Sequence, residues 1–120
     1  MAVMLPLDQT KLHQNRNRGN CLAAALASIF ELRIEHVPAF EEMPKQDWRN
    51  SLKEWLYGMG VGLLESQEPV EIEDYYIAVG ISPRNIRHCV VCKAGEIVHD
   101  PHPSREGILG IDYTWSFYPL

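Results

Sequence analysis

Residues 21–32 read CLAAALASIFEL, an apolar stretch from which the prediction of the fold starts. A helix over these residues has almost no polar face, so other elements must cover it on most sides. Asn20 precedes the stretch as a potential N-cap, after a polar lead-in that is rich in turn-forming residues. The stretch is also far shorter than the ~20 residues that a membrane span needs. We therefore predict a buried central helix that begins at Cys21.

The rest of the chain predicts one further helix and then a series of strands. Four apolar residues recur at helical spacing before Gly58 and Gly60, which indicates a second, amphipathic helix. These are Trp48, Leu52, Trp55 and Leu56. Five later segments are rich in β-branched and aromatic residues: Gly62–Glu65, Tyr75–Ile81, Arg87–Cys92, Glu96–Asp100 and Asp112–Tyr118. Helices followed by closely spaced strands predict an α+β fold, with an antiparallel sheet packed on the first helix and closed by the last strand.

Length and charge exclude several classes of protein. The 120 residues fit a single domain, 1–120, and contain no repeat. Lys and Arg number 11 against 16 Asp and Glu, for a net charge of −5, which disfavours nucleic acid as a partner. Three cysteines cannot all pair within one chain, and the start lacks the pattern of a secretory signal. We therefore expect a cytoplasmic protein with free thiols and no membrane partner. No pattern in the sequence indicates an oligomeric state.

Cys21 is the first candidate for chemistry, because it stands at the start of the predicted central helix. The N–H groups and the positive dipole end of a helix favour a thiolate, which is the nucleophilic form of cysteine. The competing interpretation is that a cysteine beside small apolar residues simply packs in the core. A second group near Cys21 is needed to distinguish the two.

His88 lies on a predicted strand that is joined by a short turn to the strand ending at Asp100. A three-residue loop, Lys93-Ala94-Gly95, would place His88 directly opposite Asp100 and form a His–carboxylate pair. A two-residue turn, Ala94-Gly95, would move Asp100 to the other face and form no pair, because a slip of one residue inverts the pleat. The sequence leaves both registers open.

A cysteine at a helix start, a histidine on a strand and a neighbouring carboxylate are the parts of a thiol acyl-transfer site. The histidine moves the proton, and Asp100 holds the tautomer and stabilises the imidazolium. An oxyanion hole would need the backbone N–H of Cys21 and a side-chain amide upstream of it. Gln14 and Gln9 are the candidates for that amide.

Three short stretches occur in the order that such a site requires: GNCLAAALA at 19–27, HCVV at 88–91 and VHDP at 98–101. Together they resemble the papain-like cysteine peptidases of bacteria, in particular the bacteriocin-processing (double-glycine leader) peptidase-like group. The resemblance implies Cys21 as nucleophile, His88 as base and Asp100 as third member, with no cofactor and no metal. It implies a peptide, isopeptide or amide substrate. Leu22 differs from the glycine usual in leader peptidases, so we use the resemblance for the chemistry and not for a leader substrate.

Two other functions compete with hydrolysis. The same fold could be a catalytically inactive binding module that holds a peptide or a partner. Alternatively, Cys89 and Cys92 with His99 and His102 have zinc-like spacing, although cysteines at those positions of a strand would point to opposite faces. His99 and His102 lie near the proposed site and either could line a substrate cleft, although an exposed loop position is the more common outcome. We expect Cys89 and Cys92 as strand residues without a role, one toward each face of the sheet.

Overall fold

The computed structural model describes residues 4–10, 19–67 and 73–120. Two α-helices come first: α1 (Cys21–Phe30) and α2 (Trp48–Gly58), with single 3₁₀ turns at Ile34–His36 and Phe40–Glu42 between them. Five strands follow: β1 (Val61–Ser66), β2 (Tyr75–Ile81), β3 (Arg87–Lys93), β4 (Glu96–His99) and β5 (Tyr113–Pro119). The predicted α+β class is confirmed, with strand bounds close to those expected from the sequence. Neither α-helix is long and apolar enough to cross a membrane, as judged over the described residues.

The strands form one antiparallel sheet in the order β1-β5-β2-β3-β4. We expected the last strand, β5, to close the sheet at an edge. It lies instead between β1 and β2. It pairs with β1 over six residues, from Val61↔Pro119 to Ser66↔Thr114, and with β2 over three. This long-range pairing joins the part of the chain after α2 to the centre of the sheet.

Helix α1 packs on one face of this sheet and is buried along most of its length, as predicted. Its alanines are fully or almost fully buried, which allows the helix to approach the strands closely. The helix ends at Phe30, two residues earlier than predicted, because Glu31 adopts a left-handed conformation with φ 56°. The facing strand residues are Ile77, Val79, Cys89, Val91 and Trp115.

The opposite face of the sheet is covered by the loop after β4. This face carries the buried residues Tyr76, Ala78, Val90 and Cys92, with Ile108 from the loop packed against them. The backbone N–H of Leu109 donates to the carbonyl of Ile81, which holds the loop against β2. A Cβ atom added at Gly80 would lie 1.9 Å from the carbonyl oxygen of Gly110, so this close approach requires a glycine.

The turn between β3 and β4 decides between the two registers left open by the sequence. It is the two-residue turn, with φ of 52° at Ala94 and 83° at Gly95, and it pairs Lys93 with Glu96. If that register continued along the strand, Asp100 would lie on the face of the sheet opposite His88. However, a bulge in β4 shifts the pairing from Cys92↔Ile97 to Val91↔His99. The extra residue that the bulge adds to β4 returns Asp100 to the face that carries His88. The expectation that a two-residue turn excludes the His88–Asp100 pair is therefore wrong.

Candidate active site

His88 and Asp100 form a buried pair at the end of the sheet. The Nε2 atom of His88 lies 2.6 Å from Oδ1 of Asp100, and both side chains are almost completely buried. The carboxylate also accepts hydrogen bonds from the backbone N–H groups of His102 at 2.9 Å and Gly107 at 2.7 Å. Burial acts to raise the pKa of Asp100, but the hydrogen bonds from His88 and the two N–H groups lower it to about 2. Asp100 is thus held as an anion beside the imidazole.

Cys21 completes this arrangement from the first position of α1. The thiol is partly exposed and lines the same cavity as His88. Hydrogen bonds from Cys89 and from His88 lower the pKa of Cys21 well below its ordinary value, against the opposing effect of burial. Burial acts to lower the pKa of His88, but Asp100 and Cys21 together raise it to about 9. Because Nε2 of His88 is bonded to Asp100, Nδ1 is the ring atom left to exchange a proton with the thiol.

The N-terminal segment brings Gln9 to this site. Its backbone is tied to the end of α1, where Ser28 accepts hydrogen bonds from the N–H groups of Leu5 and Leu7. The N–H of Gln9 then donates to the carbonyl of Pro101 at 3.0 Å, beside Asp100. Gln9 is buried and lines the cavity together with Cys21. Of the two predicted oxyanion glutamines, Gln9 is therefore placed at the site, and Gln14 lies outside the described residues.

Glu41 is a site residue that sequence reasoning missed. Its Oε2 atom accepts hydrogen bonds from the N–H groups of Leu22 at 2.7 Å and Ala23 at 3.3 Å, at the start of α1. The predicted N-cap Asn20 makes no capping hydrogen bond with its side chain and donates instead to Thr10. Burial and the negative charge on Cys21 raise the pKa of Glu41 to about 7. Nothing local in the sequence signals this contact, because 18 or more residues separate the partners.

Cys89 is the second missed residue, since we expected it to have no role. It lies on the face of β3 that packs on α1, is 3% exposed and lines the cavity with Cys21. Interactions from both its side chain and its backbone lower the pKa of the Cys21 thiol. Burial, followed by the interaction with Cys21, raises the pKa of Cys89 well above its ordinary value. Nothing local in the sequence signals this position, because adjacent strand residues point to opposite faces and Cys89 directly follows His88.

The cavity in front of Cys21 has a volume of about 580 Å³. Its apolar walls come from the second 3₁₀ turn, from α2 and from the strands and the turn between β2 and β3: Phe40, Trp48, Val79, Ile86, Tyr113 and Trp115. The polar lining includes Arg84, Arg87 and His102, and the ring of His102 stands edge-on to that of His88, with 6.1 Å between the ring centroids. An apolar cleft with a few polar groups next to a nucleophile can hold an extended substrate.

The geometry does not favour the zinc interpretation. Cys89 and Cys92 belong to packing clusters on opposite faces of the sheet, as strand alternation requires. We expected His99 in an exposed loop, but it is buried at the end of β4, and its Nε2 atom lies 2.7 Å from the carbonyl oxygen of Leu7. In the parts of the chain that the structure describes, no group of three or more His, Cys, Asp or Glu side chains could hold a metal ion.

Comparisons of the chain with protein-family models, with curated proteins and with solved structures find no match.

Proposed function

We propose that this chain is a small papain-like cysteine hydrolase or acyltransferase that acts on a peptide, isopeptide or amide bond. The observation that carries the proposal is that His88, bonded to Asp100, lines a cavity of about 580 Å³ together with Cys21 and lowers the pKa of the Cys21 thiol. The order of elements supports the papain-like fold: a central helix that begins with the cysteine, then an antiparallel sheet that carries the histidine and the aspartate. No cofactor is required.

The first half-reaction transfers the acyl group to the enzyme. The Cys21 thiolate attacks the substrate carbonyl carbon and forms a C–S bond, while the carbonyl oxygen takes the negative charge. The backbone N–H of Cys21 and the side-chain amide of Gln9 are the groups that would stabilise this oxyanion. The imidazolium of His88 donates its proton to the leaving nitrogen as the C–N bond breaks, and an acyl thioester remains on Cys21.

The second half-reaction restores the thiolate. Water, or the amine of an acceptor, gives its proton to His88 and attacks the thioester carbon, and Cys21 leaves as a thiolate. Asp100 stays ionised throughout, because its hydrogen bonds hold its pKa at about 2. Its part is to orient the ring and to stabilise the imidazolium.

The test uses p-nitrophenyl acetate as the acyl donor, with the protein reduced beforehand by a dithiol that is then removed. We expect release of nitrophenol with transient acetylation of one cysteine, identified by peptide mass spectrometry as Cys21. His88→Ala should slow acetylation by about 10²–10⁴-fold, the usual contribution of a general acid-base group. Iodoacetamide should alkylate Cys21 at about pH 6, where a thiol of ordinary pKa reacts slowly.

Two variants make the result specific. Cys21→Ala should keep the fold and lose both reactions, while Cys92→Ala removes a thiol on the other face of the sheet and should lose neither. Equal acetylation of the parent protein and the Cys21→Ala variant would refute the proposal. Tight binding of peptides without acetylation would instead identify a binding module.

A further inference from the structure

The mechanism above leaves one buried thiol of the site unused. Cys89 lines the same cavity as Cys21, from the strand that also carries His88, and its side chain lowers the pKa of the Cys21 thiol. Helix α1 and strand β3 pack on each other, and both cysteines belong to the same hydrophobic cluster. This packing therefore brings the two thiols into the same part of the site.

The two thiols differ in the properties that matter for oxidation. Cys21 is partly exposed at the cavity and is held as a thiolate by its hydrogen bonds. Cys89 is buried, and both its burial and the charge on Cys21 keep it protonated. A peroxide that enters the cavity therefore reacts with Cys21, and Cys89 is the neighbouring thiol that meets the product. Cys92 cannot take this part, because it lies on the opposite face of the sheet.

We infer that Cys21 and Cys89 form a redox pair, in which a peroxide converts the nucleophile to a reversible Cys21–Cys89 disulfide. The inference goes beyond the proposed hydrolase, and the formation of the bond does not depend on turnover. Its consequence for the proposed reaction is reversible inactivation, since the sulfur in the disulfide can no longer attack a carbonyl.

The chemistry proceeds in two balanced steps. First, the Cys21 thiolate attacks one peroxide oxygen and the O–O bond breaks. The sulfur is oxidised to a sulfenic acid, and the departing alkoxide, or hydroxide from hydrogen peroxide, takes a proton from the His88 imidazolium to form an alcohol or water. Second, the Cys89 sulfur attacks the Cys21 sulfur, the S–O bond breaks, and the departing hydroxide takes the Cys89 proton to form water. A dithiol reductant reverses the product by exchange and restores both thiols.

The paired cysteine also protects the nucleophile. A sulfenic acid without a neighbouring thiol is oxidised further to a sulfinic acid, which a dithiol does not reduce. In Cys89→Ala and Cys89→Ser variants, peroxide should therefore inactivate Cys21 irreversibly. The serine variant keeps the size of the side chain and guards against loss of folding in the alanine variant.

The experiment treats the reduced full chain with hydrogen peroxide, blocks the remaining thiols with N-ethylmaleimide and maps non-reduced peptides by mass spectrometry. We expect the parent protein to lose two hydrogen atoms and two alkylation sites, with a Cys21–Cys89 cross-linked peptide that disappears after dithiol treatment. Cys92→Ala, the matched control, should give the same product. Cys89→Ser should give no cross-link and should gain two oxygen atoms on Cys21.

Several results would overturn the inference. One is a parent protein that accumulates sulfinic acid on Cys21 at the same rate as Cys89→Ser, and others are a cross-link to Cys92 or only a cross-link between two chains. The mass readout also separates this inference from the proposed function. A Cys21–Cys89 cross-link without acetyl transfer supports the redox pair and contradicts the proposed hydrolase. Acetyl transfer without a cross-link supports the hydrolase and contradicts the redox pair.

Discussion

Glu41→Gln is the substitution for which the structure gives the sharpest expectation. Oε2 of Glu41 accepts hydrogen bonds from Leu22 and Ala23 at the start of the helix that carries the nucleophile. Burial and the negative charge on Cys21 raise the pKa of this carboxyl group from its ordinary 4.5 to about 7. Glutamine has nearly the same shape and keeps an acceptor oxygen, but it carries no charge at any pH.

The raised pKa of Glu41 determines the sign and the size of the change in unfolding free energy with pH. The folded protein binds the Glu41 proton more tightly than the unfolded chain does, so this contribution to stability is complete below about pH 4.5 and is lost as the pH rises through 7. At about 1.4 kcal/mol for each pH unit, the loss amounts to about 3 kcal/mol. Relative to the parent protein, Glu41→Gln should therefore gain about 3 kcal/mol of unfolding free energy between pH 4.5 and pH 8.

The assay is urea unfolding of the reduced protein at a series of pH values, with the difference between variant and parent as the measured quantity. Taking this difference cancels the titration of the other groups. Glu42→Gln is the matched control, because it removes a charge from the exposed neighbour in the same 3₁₀ turn. In a Cys21→Ala background the pH dependence should shrink, since the thiolate supplies part of the raised pKa. A difference that stays constant from pH 4.5 to pH 8 would refute this account of Glu41.

The remaining predictions concern the triad and the covered face of the sheet. Asp100→Asn should slow acetylation by p-nitrophenyl acetate by about 10²–10⁴-fold. Because the folded pKa of Asp100 is depressed from 3.8 to about 2, the Asp100 carboxylate contributes about 2 kcal/mol of stability above pH 3.8 that is lost as the pH falls to 2. Acid titrations of parent and variant should therefore converge at low pH, and parallel curves would contradict the role given to this carboxylate. Gly80→Ala should lower the free energy of unfolding by about 1–3 kcal/mol, because its Cβ would meet the Gly110 carbonyl. Gly58→Ala, where no atom lies within 4 Å of an added Cβ, is the control in the same urea measurement, and an equal loss in both variants would exclude this contact as the cause.

Much of the fold could be predicted from local pattern. The apolar run after Asn20 and the helical spacing from Trp48 to Leu56 correspond to the two observed α-helices. The five strands follow runs of β-branched and aromatic residues, and the turn residues separate them at the expected places. These features depend on neighbours within a few residues, which a single sequence contains in full.

The site was predictable only in part. Cys21 at a helix start and His88 on a strand follow from secondary structure, but the pair between His88 and Asp100 depends on a bulge next to Val91. The sequence offered two registers for this hairpin, and neither included the extra residue. The register of a hairpin follows from packing against both faces of the sheet, and that information is not local.

Local sequence pattern was sufficient to predict the helices and strands of this protein and to identify a cysteine, a histidine and a carboxylate in a suitable order. The packing of distant segments determines which groups surround the cysteine: Gln9 through the bond to Pro101, Glu41 at the start of α1, and Cys89 in the same cavity. It also places β5 inside the sheet. The physical reason is that local propensities act over a few residues. Contacts between distant segments depend instead on how α1, the sheet and the loops exclude water together.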